Sequence, residues 1–182
     1  MSFPRLILYP LTLVLFVVAF SWGSRAERAS EAEASDRKIE VLFLGSENRS
    51  NHDPPTRFRV LREALGPKAV NITYAHTLDA LTPENLAKYD VLLIFANQYT
   101  IDKETQGKAL LDFARGGGGC VLLHCAAGCF RDSQFDEYVD LLGAQFKSHG
   151  KGVFRAKIVN TEHPIMKGWD SFECWDETYE HK

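Results

Sequence analysis

Short unbroken apolar runs alternate with segments of helical spacing along this chain. Ile39-Glu40-Val41-Leu42-Phe43-Leu44 runs up to Gly45 and predicts a nearly buried strand. Residues 48–55 read as a polar loop. Pro55 or Thr56 then opens a helix, with Phe58, Leu61 and Leu65 on one stripe and Gly66-Pro67 ending it. Residues 70–75 predict a second strand. A short helical piece lies within 78–88, with Thr82 as its N-cap before Pro83 and Glu84. Val91-Leu92-Leu93-Ile94-Phe95-Ala96 is apolar throughout, as a strand covered on both faces must be. A helix over 103–115 buries Ala109, Leu110 and Phe113, and four glycines from Gly116 end it. Cys120-Val121-Leu122-Leu123 reads as another buried strand and runs directly into His124. Residues 134–142 look helical, and 153–159 alternate like a strand with one wetter face.

Strands and helices in alternation, with continuously apolar strands, predict an α/β fold: a parallel sheet with helices on both faces. The first 37 residues stand outside it. Arg5 is a positive flank, residues 11–20 are an apolar core, and Ser24-Arg25-Ala26 offers small residues for cleavage. That order predicts a secretory signal peptide over 1–26, hence an exported protein. The alternative is a membrane anchor, which would need ~20 apolar residues; the run here is shorter and carries Pro10. Residues 27–37 hold nothing bulky and apolar, and read as a solvated linker before a domain over 38–182.

The net charge is -3, and no Lys/Arg cluster forms a phosphate-tracking groove, so nucleic acid is not an expected partner. No Walker loop is present. The glycines at 116–119 precede a strand instead of joining strand to helix, so no nucleotide cofactor is expected. Cys120, Cys125, Cys129 and Cys174 allow three full pairings, among which sequence does not choose. Cys120 reads as a small hydrophobe in its strand. Cys125 and Cys129 are spaced to pair across a turn or to hold a metal, though they form no C-x-x-C motif.

Open sheets of this kind bind ligands beyond the carboxyl ends of their strands. Glu47, Asn48, Arg49, Asn51, His52 and Asp53 follow the first strand. Asn97, Gln98 and Tyr99 follow the third, and His124, Cys125 and Ala126-Ala127-Gly128 the fourth. His124 stands out, because an imidazole at the end of a buried strand needs a partner. The bland alternative is a core histidine bonded to a loop carbonyl. Downstream, His149 sits between small residues that suit a tight loop, and His163 before Pro164 reads as a turn-shaper. Asp176 and Glu177 are adjacent, so on a strand they point to opposite faces, and at most one of them faces a given site.

These stretches together resemble the ThuA-like, trehalose-utilisation domain. The resemblance covers about residues 38–179. It rests on the loop with His52, on Tyr89-Asp90-Val91-Leu92-Leu93-Ile94-Phe95, and on Phe113-Ala114-Arg115-Gly116-Gly117-Gly118-Gly119 leading to Leu122-Leu123-His124-Cys125-Ala126-Ala127. Leu142-Gly143-Ala144-Gln145-Phe146-Lys147-Ser148-His149, His163-Pro164-Ile165 and Asp176-Glu177-Thr178-Tyr179 complete it. The resemblance implies a flavodoxin-like sheet, similar to class I glutamine amidotransferases, and a link to carbohydrate utilisation. The family's motif histidines fall on His52, His124 and His149, and its Asp-Glu-x-Tyr motif on Asp176, Glu177 and Tyr179. The family commonly has Gly-Ile-His-Ala-Ala, whereas here Leu123 precedes and Cys125 follows His124. It also continues past Tyr179 through further strands and a closing helix. The expectation is therefore a domain incomplete at its C-terminus, with exposed apolar surface.

Three chemistries follow from these residues. In the first, His124, His149 and Glu177 are catalytic acid–base groups acting on a sugar, with His52, Asn97, Gln98, Asp176 and Tyr179 binding it. In a variant of it, His52, His124 and His149 hold a divalent metal such as zinc. In the second, Trp169, Phe172, Trp175 and Tyr179 stack on sugars in a non-catalytic binding module; core packing is the commoner fate of such residues. The third is cysteine-nucleophile hydrolysis, which needs a thiolate at the strand-to-helix elbow. His124 holds that position, and Cys125, one residue later, is expected to project elsewhere.

Overall fold

The computed structural model describes residues 37–47 and 52–182. The predicted leader, nearly all of the linker, and Asn48, Arg49 and Asn51 lie outside the described residues. Among the described residues no helix is long and apolar enough to cross a membrane.

Four parallel strands form the main sheet: β1 (Ile39–Leu44), β2 (Val70–Ala75), β3 (Val91–Ile94) and β4 (Gly119–Leu122), in the order β2-β1-β3-β4. This is an α/β, flavodoxin-like arrangement. Alternation along each strand divides the core between two faces. Val41, Phe43 and Leu93 meet Phe58, Leu61 and Leu65 of helix α1 (Pro54–Leu65) on one face. Leu42, Leu44, Leu92 and Ile94 face α2 (Pro83–Leu86), α3 (Lys108–Arg115) and α4 (Asp136–Leu142) on the other. Cover on both faces is why β1 from Val41 onward and all of β3 are apolar without a break. Each large side chain buried this way contributes about 1.5–3 kcal/mol.

Several local expectations shift. Helix α1 opens at Pro54, one residue early, because Asp53 in the left-handed region caps it by accepting from the Thr56 N–H. Thr82 caps α2 by accepting from the Asn85 N–H. The helix expected over 103–115 begins as a wide turn, Lys103–Gly107, and becomes regular at Lys108. Strand β4 ends the four-stranded order and is not fully buried; Val121 is 40% exposed. All four cysteines are free thiols, and Cys120 is half-buried.

The largest difference concerns the segment with His149. Instead of a loop followed by a strand over 153–159, one strand, β5, runs Phe146–Ala156. It pairs antiparallel with β6 (Phe172–His181), which sets His149 opposite Tyr179 and Lys151 opposite Glu177. The backbone pairing holds His149 in extended geometry and presents its ring with every second neighbour. The aromatics of this hairpin are not core residues: Phe172 and Trp175 stay exposed, as does Trp169 before them.

Two backbone positions fix the sheet's carboxyl edge. Gly45 follows β1, where an added Cβ would lie 2.5 Å from the Tyr74 ring and 2.8 Å from the Pro54 Cβ. His124 follows β4 at φ 49, the left-handed region, which costs a non-glycine residue about 1–2 kcal/mol. The turn is held from below by Tyr138, whose hydroxyl donates to the Ala126 carbonyl at 2.9 Å. Gly45→Ala is expected to lower stability by about 1–3 kcal/mol through overpacking. Gly152→Ala, where a methyl meets nothing within 4 Å, is expected to leave the urea midpoint unchanged or raise it. Equal effects of the two would refute the close-approach argument. His124→Gly is expected to keep stability within about 1 kcal/mol of the parent, because relief of the positive φ offsets lost packing. A several-fold larger loss in the same titration would show that the imidazole itself holds the turn.

Candidate functional site

The carboxyl ends of β1, β3 and β4 open onto a cavity of about 800 Å³, whose far wall is the β5–β6 hairpin. That volume suits a small-molecule ligand. His52, Asn97, His124, His149, Asp176, Glu177 and Tyr179 all line it. Gln98 does not. Its amide turns away and donates to the buried Ser46 hydroxyl at 2.6 Å, tying the β3 and β1 ends together. Asp53 is occupied as the α1 cap, and the Thr56 hydrogen bond holds its carboxyl below the usual range. His163 is exposed in its turn, where Nδ1 accepts from the Ile165 N–H.

His124 is the meeting point. Its ring lies 5.3 Å from His52, 6.1 Å from Phe95 and 5.0 Å from Tyr179 between centroids. Burial lowers its pKa, His52 adds to that, and Glu177 and Asp176 oppose it. The ring is therefore neutral at pH 7 and able to accept a proton. Glu177 reaches across from β6. Its carboxylate lies 3.9 Å from His124 Nε2, 3.7 Å from His149 Nε2 and 3.9 Å from Lys151 Nζ. These separations exceed hydrogen bonds but keep strong electrostatic contact. Trp175, Glu177 and Tyr179, at every second position, bring one face of β6 to the cavity. Asp176, expected to point away from any site that Glu177 faces, also reaches the cavity rim.

The hydrogen bonds set tautomers. His149 Nδ1 lies 3.1 Å from the Gly150 carbonyl, which can only accept. Nδ1 thus carries the proton, and Nε2 is the nitrogen facing Glu177. His52 Nδ1 likewise donates to the Glu47 carboxylate at 2.6 Å. Burial first, then the Glu177 charge, raises the pKa of Tyr179, so its phenol stays protonated.

Cys125 was expected to project elsewhere, but it is on the cavity wall. Only 5% of it is exposed, and burial pushes its thiol up to about 12. Among the described residues, the group whose ligand atoms gather within 4.8 Å of one another is Glu47, His52 and Cys125, not the three histidines. Arg57, Arg131 and Lys151 also line the cavity. None was singled out from sequence. Lys151 was legible in principle, two residues from His149 on a strand face. Arg131 is placed by stacking its guanidinium 4.0 Å over Tyr99, which no sequence pattern announces.

A family model described as ThuA, trehalose utilisation, matches residues 40–182. Two crystal structures are similar. A ThuA-like protein from Bacteroides uniformis ATCC 8492 superposes with TM-score 0.68 at 17% identity, over 80% of this chain and 62% of that one. A ThuA-like protein from Parabacteroides merdae ATCC 43184 gives TM-score 0.64 at 17% identity, over 79% and 63%. This chain thus spans less than two thirds of the length of either structure, and at such identity the likeness concerns the fold. No curated protein matches the sequence. With the match over residues 40–182 and the parallel sheet in accord, the chain belongs to the ThuA, trehalose utilisation, family.

Proposed function

We propose that this protein acts on a sugar or sugar derivative of the trehalose type by acid–base chemistry. In this reading His124 and His149 transfer protons, and Glu177 orients them. The observation that carries it is the position of Glu177, whose two carboxylate oxygens address the Nε2 atoms of two separate histidines. A carboxylate so placed can stabilise one imidazole as a proton donor while the other accepts a proton from a substrate hydroxyl. The lining suits a sugar. Asn97, His52 and Asp176 offer partners for hydroxyls, and the faces of Phe146, Trp175 and Tyr179 offer surfaces for the C–H faces of a ring.

A non-catalytic sugar-binding role is the second reading. It is favoured by one observation: Trp175 borders the cavity yet is 67% exposed, free to stack on a ligand. Cysteine hydrolysis finds no support. His124 occupies the elbow, and a thiol pushed up to about 12 supplies almost no thiolate at neutral pH.

Turnover of a panel of sugars separates the first two readings. His124→Asn, chosen because asparagine tolerates a positive φ, is expected to lower kcat/KM by about 10²–10⁴. Glu177→Gln is expected to lower it by a smaller factor, with sugar binding retained in both. Undiminished turnover in either variant would overturn the acid–base assignment. Sugar binding without any turnover, surviving loss of every site histidine, would establish the binding module instead.

A further inference from the structure

We infer that Glu47, His52 and Cys125 form a divalent-metal site of the zinc type in the wall of the cavity. The inference stands apart from the acid–base reading, since none of the three residues is a proton-transfer group in it. Their ligand atoms lie within 4.8 Å of one another. Each is delivered by separate local geometry. Glu47 follows β1 and is bridged to Asn97 as the next step of the parallel ladder. His52 immediately precedes the Asp53 cap of α1. Cys125 follows His124, which holds a positive φ, and is the first buried residue of the helical turn His124–Gly128.

The chemistry of the three is complementary to a cation. The Glu47 side chain is 5% exposed, and its side-chain partner is the His52 ring. Beside it lies the buried Cys125 thiol, 5% exposed. A divalent ion in contact would neutralise the carboxylate and bind the thiolate, releasing the thiol proton to solvent. A thiolate, an imidazole and a carboxylate favour zinc over magnesium or calcium, which prefer oxygen ligands alone. Three protein ligands leave one tetrahedral position. Because His52 and Cys125 line the cavity, that position opens toward it. Phe95, beside the His52 ring at 6.3 Å between centroids, supplies an apolar flank.

The test uses the full-length chain, stripped of metal and loaded with zinc alone or cobalt(II) alone. One equivalent of zinc should survive dialysis. The cobalt form should show a thiolate-to-metal charge-transfer band in the near ultraviolet. Cys125→Ser and His52→Asn should each weaken zinc affinity at least about 100-fold, a loss larger than outer-sphere changes usually cause. Glu47→Gln should weaken it as well, and His149→Asn should keep full occupancy. No stoichiometric zinc, or a cobalt form without the thiolate band, overturns the inference. So does loss of zinc in His149→Asn with retention in Cys125→Ser, which would give the metal to the histidines. Should Cys125→Ser fail to fold, the parent cobalt spectrum and His52→Asn still decide the matter. A protein that fails to hold zinc yet turns over sugar would sink this inference alone and leave the acid–base reading intact.

Discussion

The left-handed turn at His124 is the constraint on which the site depends. Strand β4 carries the chain to the edge of the sheet, and a helical turn begins there at His124. His124 sits at φ 49, a region uncommon for any residue but glycine. Tyr138 secures the turn from inside by holding the Ala126 carbonyl, and Cys129 does the same by donating to the Ala96 carbonyl at 3.0 Å. Strain kept by so dense a surrounding is typical of functional positions, because it aims a side chain that relaxed backbone would turn aside. Here the imidazole is aimed into the cavity, and the next residue, Cys125, is aimed at Glu47 and His52.

The sheet alone supplies half a site. The β1 and β4 ends provide imidazoles and one buried carboxylate, but the carboxylate between the histidines comes from the hairpin. A two-stranded hairpin is marginal by itself. This one is anchored through Tyr179, whose ring lies 4.8 Å from that of Phe146 and 5.0 Å from that of His124. The same contacts that seat the hairpin thus place Glu177 and His149. Packing and chemistry are coupled at Tyr179, whose neutral phenol stands between the two histidine rings.

Much of this was legible in the sequence because burial on both faces leaves an unmistakable signature. β1 and β3 read as strands from apolar runs, interrupted in β1 only by Glu40, and the rule for strand ends then leads to His52, Asn97 and His124. Gln98 shows the limit of that rule. It follows a strand as Asn97 does, yet its amide is consumed by Ser46, and only three-dimensional neighbours decide which of two polar residues turns inward. His149 reads as part of a tight loop because the residues on either side of it, Ser148 and Gly150, are small. Its pairing with β6 is a contact across 30 residues that local propensity does not encode. Cys125 differs for a local reason: the positive φ at His124, which no sequence pattern announces, brings the following residue to the wall.

The central claim is that His124 and Glu177 act as one unit although they belong to different sheets. A double-mutant cycle tests it most directly: sugar turnover by the parent, His124→Asn, Glu177→Gln and the double variant. The account predicts strong non-additivity, with the double variant little worse than His124→Asn alone. Losses that simply add in free energy would contradict it, because the two side chains would then contribute independently.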